Sequence, residues 1–103
     1  MKNGKEYVIK FSKQAEKDKI KLKSSGLDKN CINILVLMKN DPFCYPPSYE
    51  KLSGDLSGLY SRRINIQHRL VYQMYNEPII AGEIEYNGTI KIIRMWTHYD
   101  KVR

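Results

Sequence analysis

The hydrophobic pattern of this chain changes from helical to strand-like spacing part-way along, and that change limits the fold more than any other feature. Up to residue 40 the apolar residues recur mainly at helical spacing, and from residue 59 they recur in strand-like runs. Leu27 to Asn40 puts Cys31, Ile34, Leu35 and Met38 at i, i+3, i+4 and i+7, which is one face of a helix. Lys13 to Ser24 predicts a Lys-rich surface helix with a narrow buried stripe that includes Ala15 and Leu22. Ser12 is suited to cap its start and Gly26 to stop it. Ahead of both, Tyr7 to Phe11 (YVIKF) is β-branched and aromatic and predicts a strand.

Asp41-Pro42 ends the second helix, and a loop from Phe43 to about Asp55 follows, with Pro46, Pro47 and Gly54 in it. Four further strands are expected: Leu59 to Asn65 and His68 to Tyr75, joined by a short turn around Ile66, then Ile79 to Tyr86 and Thr89 to Thr97. Asn87-Gly88 predicts a type I′ hairpin between the last two, because that turn needs positive φ at both central residues. The order β-α-α-β-β-β-β predicts an α+β fold, with two helices packed on a twisted, mainly antiparallel sheet of four to five strands. At 103 residues the chain has the length of one domain, residues 1 to 103.

Eighteen Lys and Arg against eleven Asp and Glu give a net charge of +7. A field that strong on so small a surface favours phosphate backbones, although an acidic protein or an anionic membrane would also match it. The two cysteines, Cys31 and Cys44, form no CxxC or Cys/His cluster, so no zinc site is expected. The N-terminus MKNGKEYVIKFSKQ has no apolar core or cleavage pattern, and the longest apolar run, near Ile34 to Met38, is too short to span a bilayer. A cytoplasmic protein with reduced thiols is the expectation.

The chemistry concentrates in a few places. If the hairpin turns on Asn65, Ile66 and Gln67, Arg63 and Arg69 face each other across two strands. Like charges so placed are destabilising unless an anion lies between them, and two guanidiniums make a forked phosphate site. Alternatively both splay into water, or one pairs with Glu50, Glu83 or Glu85. Glu50, taken alone, is one more carboxylate in a Pro/Tyr-containing loop, yet beside arginines a carboxylate can serve as general base. His98 at the end of the last strand has the right chemistry to move a proton near neutral pH, and Tyr99 to stack on a base. His68 alternates with Arg69 and is read as structural. Cleavage of RNA without a metal needs a base for the 2′-hydroxyl, an acid for the departing 5′-oxygen and cations for the phosphorane. Glu50, His98, Arg63 and Arg69 are the residue types for those parts.

These residues also resemble a known family. Glu50 with Leu52, then LSGLYSRRI from Leu56 to Ile64, HRLVY from His68 to Tyr72, and a terminal His98-Tyr99 resemble the YoeB/Txe toxins of the RelE superfamily. The motif match runs roughly from residue 42 to 99. The resemblance implies a RelE-like ribonuclease fold and metal-free cleavage of mRNA in the ribosomal A site through a 2′,3′-cyclic phosphate, with no cofactor. It implies Glu50 as base, His98 as acid, Arg69 as transition-state cation and Tyr99 as substrate-positioning residue. Arg63 is implied as a second phosphate ligand, and Arg62 and Lys51 join it as expected RNA contacts. The expected partners are the 30S ribosome with its mRNA and a YefM/Axe-like antitoxin, and homodimers occur in the family. Lys51 stands where the family commonly has proline. The alternative is a noncatalytic relative on the same scaffold, or a toxin with another target such as gyrase.

Overall fold

A computed structural model describes residues 6–45, 48–65 and 68–97. Strand β1 (Tyr7–Phe11) leads into helix α1 (Lys13–Ser24), as the sequence predicts. Ser12 caps α1, its Oγ accepting from the Ala15 N–H at 3.0 Å, and Gly26 turns the chain with φ +74° before helix α2 (Asp28–Asn40). Ala15 and Leu22 from α1, and Cys31, Ile34 and Met38 from α2, are buried against one face of the sheet with Leu70, Tyr72, Ile90, Ile92 and Met95. Burial pushes the Cys31 thiol up to about 11, which makes it a packing residue with little thiolate.

That sheet has five strands in the order β1-β7-β4-β3-β2. They are β1, β2 (Tyr49–Lys51), β3 (Leu59–Arg63), β4 (Arg69–Tyr75) and β7 (Gly88–Thr97); β5 (Ile79–Ala81) and β6 (Ile84–Tyr86) form a separate hairpin. All pairings in the five-stranded sheet are antiparallel except β1 with β7. Two helices on a mainly antiparallel sheet is the expected architecture.

Three details depart from the sequence reading. The segment Ile79 to Tyr86 is a hairpin that turns at Gly82-Glu83, where one expected strand folds back on itself. Only Gly82 of that pair has positive φ, the glycine-first arrangement of a type II′ turn. Asn87-Gly88 makes no type I′ turn: neither residue has positive φ, the Asn87 N–H donates to the Glu6 carbonyl at 2.8 Å, and Gly88 opens β7 opposite Tyr7. Gly88 is required there for close approach, since a Cβ would collide with the Tyr75 carbonyl oxygen. The third departure is β2, three residues from the expected loop that add a strand beside β3.

The end of β7 is finished by α1. β1 pairs with β7 only as far as Ile92. Beyond it, Ser12 Oγ donates to the Ile93 carbonyl at 2.8 Å and the Met95 N–H donates to Asp18 Oδ2 at 2.9 Å. Asp18 is fully buried, and Arg94 Nε bonds the same oxygen at 3.0 Å while Gln14 holds the other. A buried carboxylate is tolerable when it is paired and hydrogen-bonded in this way.

Candidate active site

The helices cover one face of the sheet and leave the other open. Direct pairing places Arg63 opposite Arg69 and Ser61 opposite both Glu50 and Val71. Alternation then puts Glu50, Ser61, Arg63 and Arg69 together on the open face. Arg69 Nη1 lies 3.0 Å from Glu50 Oε1 and donates to Ser61 Oγ at 3.2 Å. A cleft lined by Ser48, Tyr49, Glu50, Arg63 and Arg69 opens at this point. Arg69 is the more enclosed member, with its side chain 17% exposed against 54% for Glu50. Arg63 is exposed at the rim.

Glu50 is aimed by what lies beneath it. Tyr49, its neighbour, points to the helix side and packs tilted against Phe43 and edge-on against Tyr60, and Tyr60 stacks on Tyr72 at 5.7 Å. The Leu52 N–H donates to the Leu59 carbonyl at 2.9 Å, so β2 is tied to β3 at the residue after the strand, and the Leu52 side chain is buried. These contacts anchor β2 on one face and leave its one acidic side chain on the other. Ser61 is fully buried and holds the guanidinium of Arg69. Sequence reasoning missed it, though its place two residues before Arg63 puts it on the same face.

Two expected RNA contacts do not join this group. Arg62 is fully buried on the helix side, opposite Leu70 in the ladder. Its Nη2 donates to the carbonyls of Pro42 and Cys44 at 2.8 and 2.9 Å, and its guanidinium lies 5.0 Å from the Tyr49 ring centre. It fastens the loop after α2 to β3 and is out of reach of a phosphate. Lys51 is exposed but pairs with Tyr60, so alternation sends it away from the Glu50 face. His68 is buried and stacked on Trp96 at 4.0 Å, in keeping with a structural role. His98 and Tyr99 lie outside the described residues, as do Ile66 and Gln67 of the turn. Among the described residues no group of three or more His, Cys, Asp or Glu is arranged to hold a metal, and no helix is long and apolar enough to cross a membrane.

Two helices packed on a mainly antiparallel sheet is a fold this chain shares with solved YoeB toxins. A family model described as the YoeB-like toxin of bacterial type II toxin-antitoxin systems matches residues 11–99, and the chain belongs to that family. Toxin YoeB of Streptomyces coelicolor is 40% identical over 57 residues, 54% of this chain and 68% of that relative. Toxin YoeB of Synechocystis is 42% identical over 50 residues, 48% of this chain and 58% of that relative, so the matched stretch is little more than half its length. Among solved structures, the YoeB dimer of Staphylococcus aureus is 30% identical with a TM-score of 0.68, over 90% of this chain and 98% of that one. The YoeB/ParE toxin of Agrobacterium tumefaciens gives a TM-score of 0.72 at 22% identity, over 89% and 99%, a likeness of fold alone.

Proposed function

We propose that this chain is an endoribonuclease that cuts mRNA in the A site of the ribosome and so stops translation. The observation that carries the reading is the meeting of Glu50, Arg63 and Arg69 on one exposed face. In the free protein Arg69 is paired with Glu50. A scissile phosphate entering between Arg63 and Arg69 offers Arg69 a stronger anionic partner, which frees Glu50 for proton transfer. Glu50 then takes the 2′-hydroxyl proton as the 2′-oxygen attacks phosphorus. The two guanidiniums hold the negative charge that builds on the phosphorane. The 5′-oxygen leaves with a proton from His98, and a 2′,3′-cyclic phosphate remains on the upstream fragment. Tyr99 positions the substrate. Each proton transfer is typically worth about 10²–10⁴-fold.

The proposed inhibitor is an antitoxin with an acidic segment that suits the +7 charge of this chain. A YoeB–YefM complex from S. aureus, whose toxin is 31% identical to this chain, supports that pairing, and the YoeB dimer from the same organism supports a homodimer. Action on ribosomes implies a cytoplasmic location. The test is primer extension on an mRNA translated in vitro, with wild-type protein, Glu50→Ala, and naked mRNA as control. Cuts at the A-site codon that need both ribosomes and Glu50 are expected. Cuts on naked mRNA would make the chain a free ribonuclease. No cuts from folded protein would overturn the reading.

A further inference from the structure

The open face carries a second group of cations at its other end. Lys10 on β1 lies directly opposite Lys91 on β7, and Lys91 is opposite Gln73 on β4. Four residues of β4 separate Gln73 from Arg69, about 13 Å at 3.3 Å per residue. Both lysines are exposed, and among the described residues neither forms an ion pair. Two ammonium groups on neighbouring strands repel unless an anion lies between them. Beside them is Tyr75, the last residue of β4, 41% exposed and with its hydroxyl donating to Gln73 Oε1 at 3.0 Å. Lys10, Lys91, Tyr75, Thr89, Ile79 and Glu77 line one cleft. It combines paired cations, an exposed ring held at its hydroxyl, and one hydroxyl side chain. These are the parts with which an open sheet holds a single-stranded nucleotide: charge for the phosphate and a π-face for the base.

We infer that this cleft is a second nucleotide-binding position for the single-stranded RNA held at Arg63 and Arg69, with one phosphate between Lys10 and Lys91 and one base stacked on Tyr75. The inference rests on the reading of the Glu50 site as one that takes RNA. Glu77 sits in the same cleft and opposes the bound phosphate. The open face thereby grips the strand at two points a short stretch of RNA apart. Stacking is tolerant of base identity, so this position adds affinity without adding a sequence requirement.

The experiment is fluorescence anisotropy with a short 2′-O-methyl RNA, which cannot undergo 2′-oxygen attack, across a salt series. The proteins are wild type, K10Q/K91Q, Tyr75→Leu, Tyr75→Phe and Glu77→Gln, each checked for fold by circular dichroism. All four positions are at the surface, so the variants are expected to fold. K10Q/K91Q is expected to lower the slope of log affinity against log salt by about 0.7, one phosphate contact on a single strand. Tyr75→Leu is expected to weaken binding about tenfold, within the range for one stacked base, while Tyr75→Phe stays near wild type. Glu77→Gln is expected to tighten it. Unchanged affinity and slope in K10Q/K91Q, or no RNA binding by wild type, would overturn the inference. So would lost binding of an acidic peptide with RNA binding intact, which would assign the lysines to a protein partner. The binding assay reads independently of cleavage: this pattern in a protein that cuts nothing would sink the catalytic reading alone, and cleavage with lysine-independent binding would sink only the second position.

Discussion

Arg62 and Arg63 are adjacent in sequence and end in opposite worlds. Arg62 is fully buried on the helix-covered face and donates to two loop carbonyls; Arg63 stands exposed on the open face, opposite Arg69. The two faces treat the same side chain differently because they have different neighbours. On the covered face a guanidinium is kept only if fixed carbonyls replace water. On the open face it is kept hydrated and available, and repulsion from a like charge leaves it disposed to take an anion. One strand thereby supplies an anchor and a ligand site from one dipeptide.

That contrast can be broken most forcefully on the open face. Glu50→Ala and Arg69→Ala are each expected to lower ribosome-dependent cleavage by at least about 10²-fold with the fold unchanged, read by primer extension and circular dichroism. Substantial activity in both would detach the open face from the chemistry. On the covered face, Arg62→Ala should act on stability instead, by about 3 kcal/mol, since it strands two carbonyls and opens a cavity. Thermal melting would show this as a Tm drop of more than about 10 °C. Arg62→Lys should recover only part of it, because the lysine ammonium ends one bond short of Nη2, the single nitrogen that donates to both the Pro42 and Cys44 carbonyls.

A milder test uses pH. Cys31 is buried on the covered face, and burial raises its thiol from 9.0 to about 11. The folded state therefore favours the protonated thiol. The stabilisation is fully present below pH about 9 and is lost as the pH rises from 9 towards 11, where the unfolded chain releases the proton first. Chemical denaturation of Cys31→Ala should show a shallower decline over that window than wild type. The smallest effect is expected at Lys51: Lys51→Ala should leave cleavage nearly unchanged, because its ladder position sends it to the other face from Glu50. A large loss there would contradict the register of β2.

The open face is largely legible in the sequence. A hairpin turning at residues 65 to 67 fixes Arg63 against Arg69 by counting, and the ladder has that register. The caps and the stripe of α2 follow from spacing as well. Counting also sends Arg62 to the opposite face, but not to a buried one: its partners are carbonyls of a loop 18 and 20 residues earlier, which no local pattern announces. Tyr49 to Lys51 hides as a strand because three residues after a proline pair carry no period. Asn87-Gly88 misleads because a local turn preference is overruled at the start of β1, where Glu6, the residue before the strand, accepts the Asn87 N–H and Tyr7 takes Gly88 as its parallel partner. The position of Asp18 does carry a sign. It lies three residues after Ala15 and four before Leu22, a carboxylate set in the middle of an apolar stripe.

That carboxylate has a consequence for crowding in the cell. Where β1 stops, β7 would present unsatisfied backbone groups to any passing extended peptide, the usual start of runaway sheet growth. Asp18 takes the Met95 N–H and Ser12 takes the Ile93 carbonyl, so two of the backbone groups past the end of β1 are already bonded when an invading strand arrives. A short first strand therefore leaves less open edge than its length suggests, and the substitution Asp18→Ala is expected to show itself in light scattering before it shows itself in activity.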